Sequence, residues 1–94
     1  MRTIERSALF KRDYKKVLSS PRHGKGVERL LHPVLTSLLS ETPLSTALRD
    51  HALIGEWKGY RECHLKPDLL LIYRLTEDGI IRLARIGSHS DLFG

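Results

Sequence analysis

Residues 69–86 read Leu-Leu-Leu-Ile-Tyr-Arg-Leu-Thr-Glu-Asp-Gly-Ile-Ile-Arg-Leu-Ala-Arg-Ile, and they predict the centre of a β-sheet. The first part, Leu69 to Leu75, is almost wholly apolar, which is typical of a central strand that is covered on both faces. The last part, Ile80 to Ile86, predicts a second strand. Between them lies Thr76-Glu-Asp-Gly79, whose Asp-Gly pair is a strong signal for a hairpin turn. We therefore expect an antiparallel pair of strands at the middle of the fold.

A third strand is predicted on the N-terminal side of this hairpin. From Trp57 to Leu65, residues alternate between two faces with the period of two that a strand requires. The preceding residues, Leu44 to Gly55, follow neither a helical nor a strand pattern, and we interpret them as a loop that leads into the sheet. The residues after Ile86 are interpreted as a tail.

The N-terminal half predicts a short strand and two amphipathic helices. Residues 2–6 form the strand, and Ser7 is a suitable N-cap for the first helix. Pro33 lies inside the second helical pattern, where we expect a kink or a restarted helix. Apolar residues with helical spacing mark the two helices. They are Phe10, Tyr14, Val17 and Leu18 in the first helix, and Val27, Leu30, Leu31, Val34, Leu35, Leu38 and Leu39 in the second.

These elements together predict an α+β domain that spans residues 1–94. The two helices pack on one face of an antiparallel-rich sheet, and the other face stays free for a functional site. A chain of this size buries only a little over ~60% of the surface that its unfolded form exposes. One modest core is therefore the limit, and an enzyme with a separate nucleotide-binding half is excluded.

Charge is distributed unevenly along the chain. The protein has 16 Lys and Arg against 11 Asp and Glu, which gives a formal net charge of +5. Residues 1–30 have a net charge of +6 and residues 31–94 a net charge of −1. Such asymmetry favours a polyanionic partner, although a solvated helix face has the same composition. We interpret the basic side chains as a docking face for a polyanion such as nucleic acid or the ribosome surface. They are Lys11, Arg12, Lys15, Lys16, Arg22, Lys25 and Arg29.

Cysteine content and hydropathy indicate the compartment. The single cysteine, Cys63, excludes an internal disulfide framework and fits a reducing environment. No apolar run approaches the ~18–20 residues that a membrane helix needs, and the N-terminus lacks the apolar stretch of a secretory signal. We expect a cytoplasmic protein with no membrane partner.

Polar side chains collect where the predicted strands end. His64 ends one strand, Asp68 begins the next, and Arg85 and His89 lie at the end of the last. If neighbouring strands pair, these four converge on one edge of the sheet; the alternative is that they are separate surface residues. Imidazole, carboxylate and guanidinium suffice for RNA cleavage without a metal. No metal site is expected, because no zinc-type Cys or His spacing occurs and Cys63 and His64 point to opposite faces of a strand.

A family resemblance adds to this interpretation. Residues 50–73, Asp-His-Ala-Leu-Ile-Gly-Glu-Trp-Lys-Gly-Tyr-Arg-Glu-Cys-His-Leu-Lys-Pro-Asp-Leu-Leu-Leu-Ile-Tyr, with Arg85-Ile-Gly-Ser-His89 and the terminal Leu92-Phe-Gly94, resemble the YafQ group of the RelE superfamily. These proteins are toxins of bacterial type II toxin–antitoxin modules. The resemblance implies a RelE-like domain and a ribosome-dependent, metal-independent endoribonuclease, an mRNA interferase without a cofactor. Such an enzyme cleaves mRNA in the ribosomal A site and thereby inhibits translation.

The resemblance also implies the site residues. They are His51, His64, Asp68, Arg85, His89 and Phe93. From their chemistry, we expect His89 to protonate the leaving oxygen and either Asp68 or His51 to act as the base. Arg85 would stabilise the phosphorane, His64 would orient the phosphate or assist proton transfer, and Phe93 would stack on a base. Relatives often have tryptophan directly after the Pro-Asp pair, where this chain has Leu69, so base stacking and codon preference are open.

The expected partners are a cognate antitoxin, the 70S ribosome and mRNA. The antitoxin would form a hetero-oligomeric complex with the toxin, and the complex would bind operator DNA through the antitoxin. A ParE-like toxin that poisons DNA gyrase is the main alternative, and a non-catalytic RNA-binding regulator is a third. The combination of His64, Asp68 and His89 argues against gyrase binding, which does not need those residues together. The RNA-binding regulator fits the basic helix but leaves His89 unexplained.

Overall fold

The computed structural model of the protein describes residues 2–94, which form a five-stranded mixed sheet and three α-helices. The strands are β1 (Thr3–Arg6), β2 (His51–Ala52), β3 (Arg61–Lys66), β4 (Leu69–Leu75) and β5 (Ile80–Gly87). The helices are α1 (Ala8–Leu18), α2 (Val27–Leu39) and α3 (His89–Phe93). The strand order is β1-β5-β4-β3-β2; β1 is parallel to β5, and the other neighbours are antiparallel. The predicted α+β class with an antiparallel-rich sheet is confirmed.

The β4–β5 hairpin forms the centre of the sheet, as the sequence predicts. The residues from Leu69 to Tyr73 are buried from both sides. In the turn, the Gly79 N–H donates to the Thr76 carbonyl at 3.2 Å, and Gly79 has a φ of 83°. This left-handed conformation explains the need for glycine after Asp78.

Helices α1 and α2 cover one face of the sheet. Ser7 caps α1, because its Oγ accepts a hydrogen bond from the Phe10 N–H at 2.9 Å. Leu18 departs from the predicted apolar stripe and is 49% exposed, whereas Asp13 occupies a buried position on α1. The core between helices and sheet is built from apolar side chains. They are Phe10, Val17, Val27, Leu31, Val34 and Leu38 from the helices, and Cys63, Leu65, Leu69, Leu71, Tyr73, Ile81, Leu83 and Ile86 from the sheet.

The helix does not restart at Pro33. Helix α2 runs from Val27 to Leu39 with Pro33 inside it. Proline removes the N–H that would bond to the Arg29 carbonyl, but both residues are exposed, so water can satisfy that carbonyl. The helix therefore tolerates proline at this position.

The predicted third strand is shorter than its alternating pattern suggests. Residues Gly55–Trp57 form a 3-10 turn, and β3 begins only at Arg61. Gly55 and Gly59 have φ values of 69° and 95°, and this left-handed backbone cannot continue a strand. The predicted loop before it also contains structure: a 3-10 turn at Thr46–Leu48 and the two-residue strand β2.

The second face of the sheet is partly covered rather than free. The predicted tail forms helix α3, whose N-terminus is held by a capping box between Ser88 and Asp91. Leu92 of α3 packs with Leu70, Ile72 and Ala84, and the segment from Leu53 to Tyr60 lies beside them. Within residues 2–94, the structure contains no helix of the length and hydropathy that crossing a membrane requires.

Candidate active site

Three histidines form a row at one end of the sheet. His51 is on β2, His64 on β3 and His89 at the start of α3. The ring centroids are 6.1 Å apart for His51 and His64, and 5.8 Å apart for His64 and His89. The antiparallel pairing of β2 with β3 aligns His51 with Glu62, two residues from His64, which explains the first contact. Residues far apart in the sequence thus supply three imidazoles to one surface.

A buried carboxylate lies between two of these imidazoles. Glu62 is only 5% exposed, and its two oxygens lie 3.5 Å from His51 Nε2 and 3.8 Å from His64 Nε2. It stabilises a positive charge on either ring. Sequence reasoning missed Glu62, although its i, i+2 relation to His64 on one strand already places both on the same face.

A second carboxylate fixes the orientation of His89. Asp68 Oδ1 accepts hydrogen bonds from the His89 backbone N–H at 3.0 Å and from His89 Nδ1 at 2.9 Å. The backbone N–H and then the imidazole of His89 hold the pKa of Asp68 below its usual range. A carboxylate only accepts here, so His89 carries its Nδ1 proton toward Asp68 and its Nε2 is left for a substrate.

His51 is held by its own loop. Its Nδ1 lies 2.8 Å from the Arg49 carbonyl and donates to it. The adjacent Asp50 accepts hydrogen bonds from Tyr73 Oη and from Arg61, whose Nη2 is 2.9 Å from Oδ2. Burial and the contact with Asp50 raise the pKa of Tyr73 and keep it a donor. This network ties the short β2 segment to the sheet and fixes the position of His51.

Arg85 is not in contact with the histidine row. Its Nε and Nη2 donate to the two oxygens of Asp13 at 2.9 and 2.8 Å, and Asp13 also accepts the Ile86 backbone N–H at 3.3 Å. This bidentate pair joins β5 to α1. Arg85 shares with His64, Asp68 and His89 a position at a strand end, which predicted that the four converge, but its partner in the structure is Asp13 on α1.

Phe93 lies beside the histidines and is not tucked into the core. Its ring centroid is 6.5 Å from that of His89, one helical turn away on α3, and the side chain is 47% exposed. Leu69, in contrast, is fully buried beneath the helices. An exposed aromatic ring at this position is available to stack on a base, whereas Leu69 is not.

The predicted docking residues are all exposed, and two of them reach the site. Lys16 Nζ lies 3.5 Å from an oxygen of Asp91, and Arg22 Nη1 lies 3.5 Å from Asp68 Oδ2. The others lie along α1, in the α1–α2 connection and on α2. They are Lys11, Arg12, Lys15, Lys25 and Arg29.

A metal ion could also be held here, by side chains that the spacing rules did not connect. The ligand atoms of Glu62, His64 and His89 lie within 4.8 Å of one another. One carboxylate with two imidazoles is a donor set that suits Zn²⁺ or Cu²⁺. The zinc-type motifs that were sought in the sequence join residues a few positions apart. His89 is 25 residues from His64 in the sequence and comes close to it only in the folded protein.

The fold and the site define a class: a small α+β protein with a histidine–carboxylate acid–base centre at one end of its sheet. Residues 2–94 match the family model described as "Bacterial toxin of type II toxin-antitoxin system, YafQ". The chain belongs to this family, which confirms the resemblance identified in the sequence.

Individual relatives agree with this assignment over the whole chain. The mRNA interferase toxin YafQ of Escherichia coli K12 is 44% identical over 94 residues, which cover 99% of this chain and 97% of that protein. The toxin in the crystal structure of the E. coli DinJ–YafQ complex superposes with a TM-score of 0.85 at 39% identity, with both chains fully covered. A metal-bound toxin from Helicobacter pylori has a TM-score of 0.86 at 44% identity, covering 99% of this chain and all of that one.

Proposed function

We propose that this toxin is an mRNA interferase, an endoribonuclease that cleaves mRNA in the ribosomal A site and stops translation. The observation that carries the proposal is the row of His51, His64 and His89, with Asp68 orienting the last of them. Cleavage of RNA by its own 2′-hydroxyl needs one group to take a proton and another to give one. The names of the E. coli relatives support this activity.

In the proposed reaction, the 2′-oxygen attacks the adjacent phosphorus while the bond from phosphorus to the 5′-oxygen breaks. The products are a 2′,3′-cyclic phosphate and a 5′-hydroxyl. His89 is the acid, because its Nδ1–H is directed to Asp68 and a protonated ring presents Nε2–H to the leaving 5′-oxygen. The proton that is lost from His89 balances the one that the base removes from the 2′-hydroxyl.

His51 suits the base better than Asp68 does. With Nδ1 donating to the Arg49 carbonyl, a neutral His51 has its lone pair on Nε2. Glu62, 3.5 Å from that atom, then stabilises the imidazolium that forms. Asp68 already accepts two hydrogen bonds from His89, and its lowered pKa makes it a weak base. His64, between the two rings, is placed to orient the phosphate.

The same proposal implies two kinds of binding partner, the ribosome and an antitoxin. The basic face on α1 and α2 would dock on ribosomal RNA, with a strong dependence on salt. A cognate antitoxin would neutralise the toxin in the cytoplasm through an acidic or amphipathic segment, and the complex would bind operator DNA through the antitoxin. The relative YafQ is found in a complex with DinJ, which supports an antitoxin partner for this chain.

The site could also bind a transition-metal ion, and we expect such an ion to inhibit the enzyme. Glu62, His64 and His89 would hold it, and the likeness to a metal-bound toxin from H. pylori supports this. A bound cation supplies Lewis acidity, but it also occupies the nitrogen lone pairs that proton transfer uses. We therefore expect the cleavage to proceed without a metal and to slow when one is bound.

The test adds purified toxin to translating ribosomes, to naked mRNA and to DNA gyrase, with and without EDTA. We expect cleavage of ribosome-bound mRNA, mapped by primer extension, that persists in EDTA. His89→Ala should slow cleavage by ~10²–10⁴-fold, the usual contribution of a positioned acid. His32→Ala, a change of an exposed histidine on α2, is the matched control and should have no effect. Gyrase inhibition with intact mRNA would instead support the ParE-like alternative.

A further inference from the structure

Cleavage of a phosphodiester builds negative charge on the phosphoryl oxygens, and a fixed cation is the usual way to stabilise it. Arg85 is poorly placed for this task in the structure, because Asp13 holds two of its guanidinium nitrogens and the side chain is only 19% exposed. A cation with a free hydrogen-bonding edge is therefore needed beside His89. Arg22 is the arginine whose guanidinium meets this condition.

Arg22 lies in the α1–α2 loop, residues 19–26, and several contacts fix its backbone. Ser20 Oγ accepts hydrogen bonds from the N–H groups of Arg22 and His23 at 3.2 and 3.3 Å. The His23 ring is buried. At Gly24, a Cβ would come within 2.2 Å of the Leu18 carbonyl oxygen, so this position requires glycine. The loop is packed tightly, and Arg22 projects from a defined point.

The guanidinium of Arg22 lies beside the carboxylate that orients His89. Its Nη1 is 3.5 Å from Asp68 Oδ2, while Oδ1 of the same carboxylate holds His89. Lys66 Nζ lies 3.5 Å from the Arg22 carbonyl and joins the loop to the end of β3. The Arg22 side chain is 71% exposed, so most of its donors face solvent. One carboxylate thus sets the distance between a proton donor and a cation.

We propose that Arg22 binds a non-bridging oxygen of the scissile phosphate and stabilises its charge in the transition state. The proposal rests on the proposed nuclease function and assigns one of the docking residues to the reacting group itself. A planar guanidinium can keep one N–H on Asp68 and offer another to phosphate. Lys16 is a weaker candidate, because its partner is Asp91 and not the carboxylate that holds His89.

The first measurement separates catalysis from docking. Single-turnover cleavage of ribosome-bound mRNA is followed with increasing toxin for the wild type, Arg22→Ala and Arg22→Lys. Arg74→Ala is the matched control, since Arg74 is exposed on β4 and its loss changes the net charge equally. For Arg22→Ala, we expect a maximal rate that is lower by ~10²–10³-fold, the loss typical of one transition-state donor. Its half-saturating concentration should stay near that of Arg74→Ala, and lysine should restore part of the rate.

A higher half-saturating concentration with an unchanged maximal rate would make Arg22 a docking residue and overturn the proposal. A loss no larger than that of Arg74→Ala would also overturn it. If wild-type toxin fails to cleave mRNA at all, the proposed function itself fails, and this result is distinct from both.

The second measurement excludes an indirect effect through Asp68. A sulfur atom replaces one non-bridging oxygen of the scissile phosphate, in each stereoisomer. If Arg22 contacts that oxygen, sulfur slows the wild type but slows Arg22→Ala much less. His89→Ala, which acts on the leaving oxygen, should keep the full effect of sulfur. A full effect in Arg22→Ala would show that the arginine does not touch the phosphate.

Discussion

Two aspartates in this protein accept similar hydrogen bonds and serve different ends. Asp13 accepts a backbone N–H from Ile86 and the side chain of Arg85, and Asp68 accepts a backbone N–H from His89 and the His89 ring. The Asp13–Arg85 pair lies between α1 and the sheet, largely shielded from water. The Asp68 group, with Arg22 and His89, faces solvent.

Burial explains why the two groups differ in role. A largely buried ion pair has to satisfy its own charges, because water has little access to them, and it becomes part of the fold. An exposed pair is weak, since water competes for both partners. Such a pair can share a partner with phosphate at little cost, and this is the property that a binding site needs.

The largest expected effect on stability comes from breaking the buried pair. Asp13→Ala should lower the free energy of unfolding by ~3–5 kcal/mol, because it leaves the Arg85 charge buried without a partner. Denaturant unfolding measures this. The matched control is Glu5→Ala, which breaks the exposed Glu5–Arg82 pair and should cost less than ~1 kcal/mol.

Replacing both members of the buried pair separates the cost of an unpaired charge from the value of the pair itself. The double variant Asp13→Leu with Arg85→Met should be more stable than Asp13→Ala, because no unpaired charge remains. If Asp13→Ala and Glu5→Ala cost the same, burial does not distinguish the two kinds of pair and our interpretation is wrong.

A smaller effect is expected from Phe93, which belongs to the exposed group. Phe93→Ala should weaken binding of the ribosome–mRNA complex by ~1–3 kcal/mol if the ring stacks on a base. The unfolding free energy should change little, since the ring is half exposed. The half-saturating toxin concentration in the cleavage assay reports the first quantity. Leu75→Ala removes an exposed apolar side chain at the far end of β4 and serves as the control.

The smallest expected effect is on the free energy of unfolding at acidic pH. The pKa of Asp68 is lowered in the folded protein by hydrogen bonds from His89. Its contribution is therefore present above the unfolded pKa, ~3.9, and is lost as the pH falls toward the folded value. Asp68→Asn should remove this loss below pH ~4. The measurement is the free energy of unfolding as a function of pH, with Asp78→Asn as the control variant. If both variants lose stability in the same way below pH ~4, the prediction is wrong.

The main elements of the fold could be predicted from the sequence because their signals are local. The apolar run at Leu69, the Asp-Gly turn and the Ser7 cap are each set by nearby residues, and the structure confirms all three. The failures also have local causes. The left-handed conformation of Gly59 interrupts the predicted strand, so that β3 begins only at Arg61, and the exposed setting of Pro33 lets α2 continue.

The site could be predicted only in part. The resemblance identified His51, His64, Asp68, His89 and Phe93, and the structure brings these residues together. Glu62 and Asp13 were overlooked because a charged residue in a strand or helix gives no sign of being buried. The partner of Arg85 depends on how α1 lies across β5, and no spacing rule contains that information.

By itself, the sequence determined the class of fold, the family and the residues whose chemistry suits RNA cleavage, because periodicity, turn signals and motifs are written in the order of residues. Tertiary structure alone decided which charges are buried and which face solvent. Asp13 closes on Arg85 beneath α1, whereas the packed α1–α2 loop brings Arg22 to Asp68. The physical reason is that access to water, and hence the use of a charge, depends on the elements packed around it.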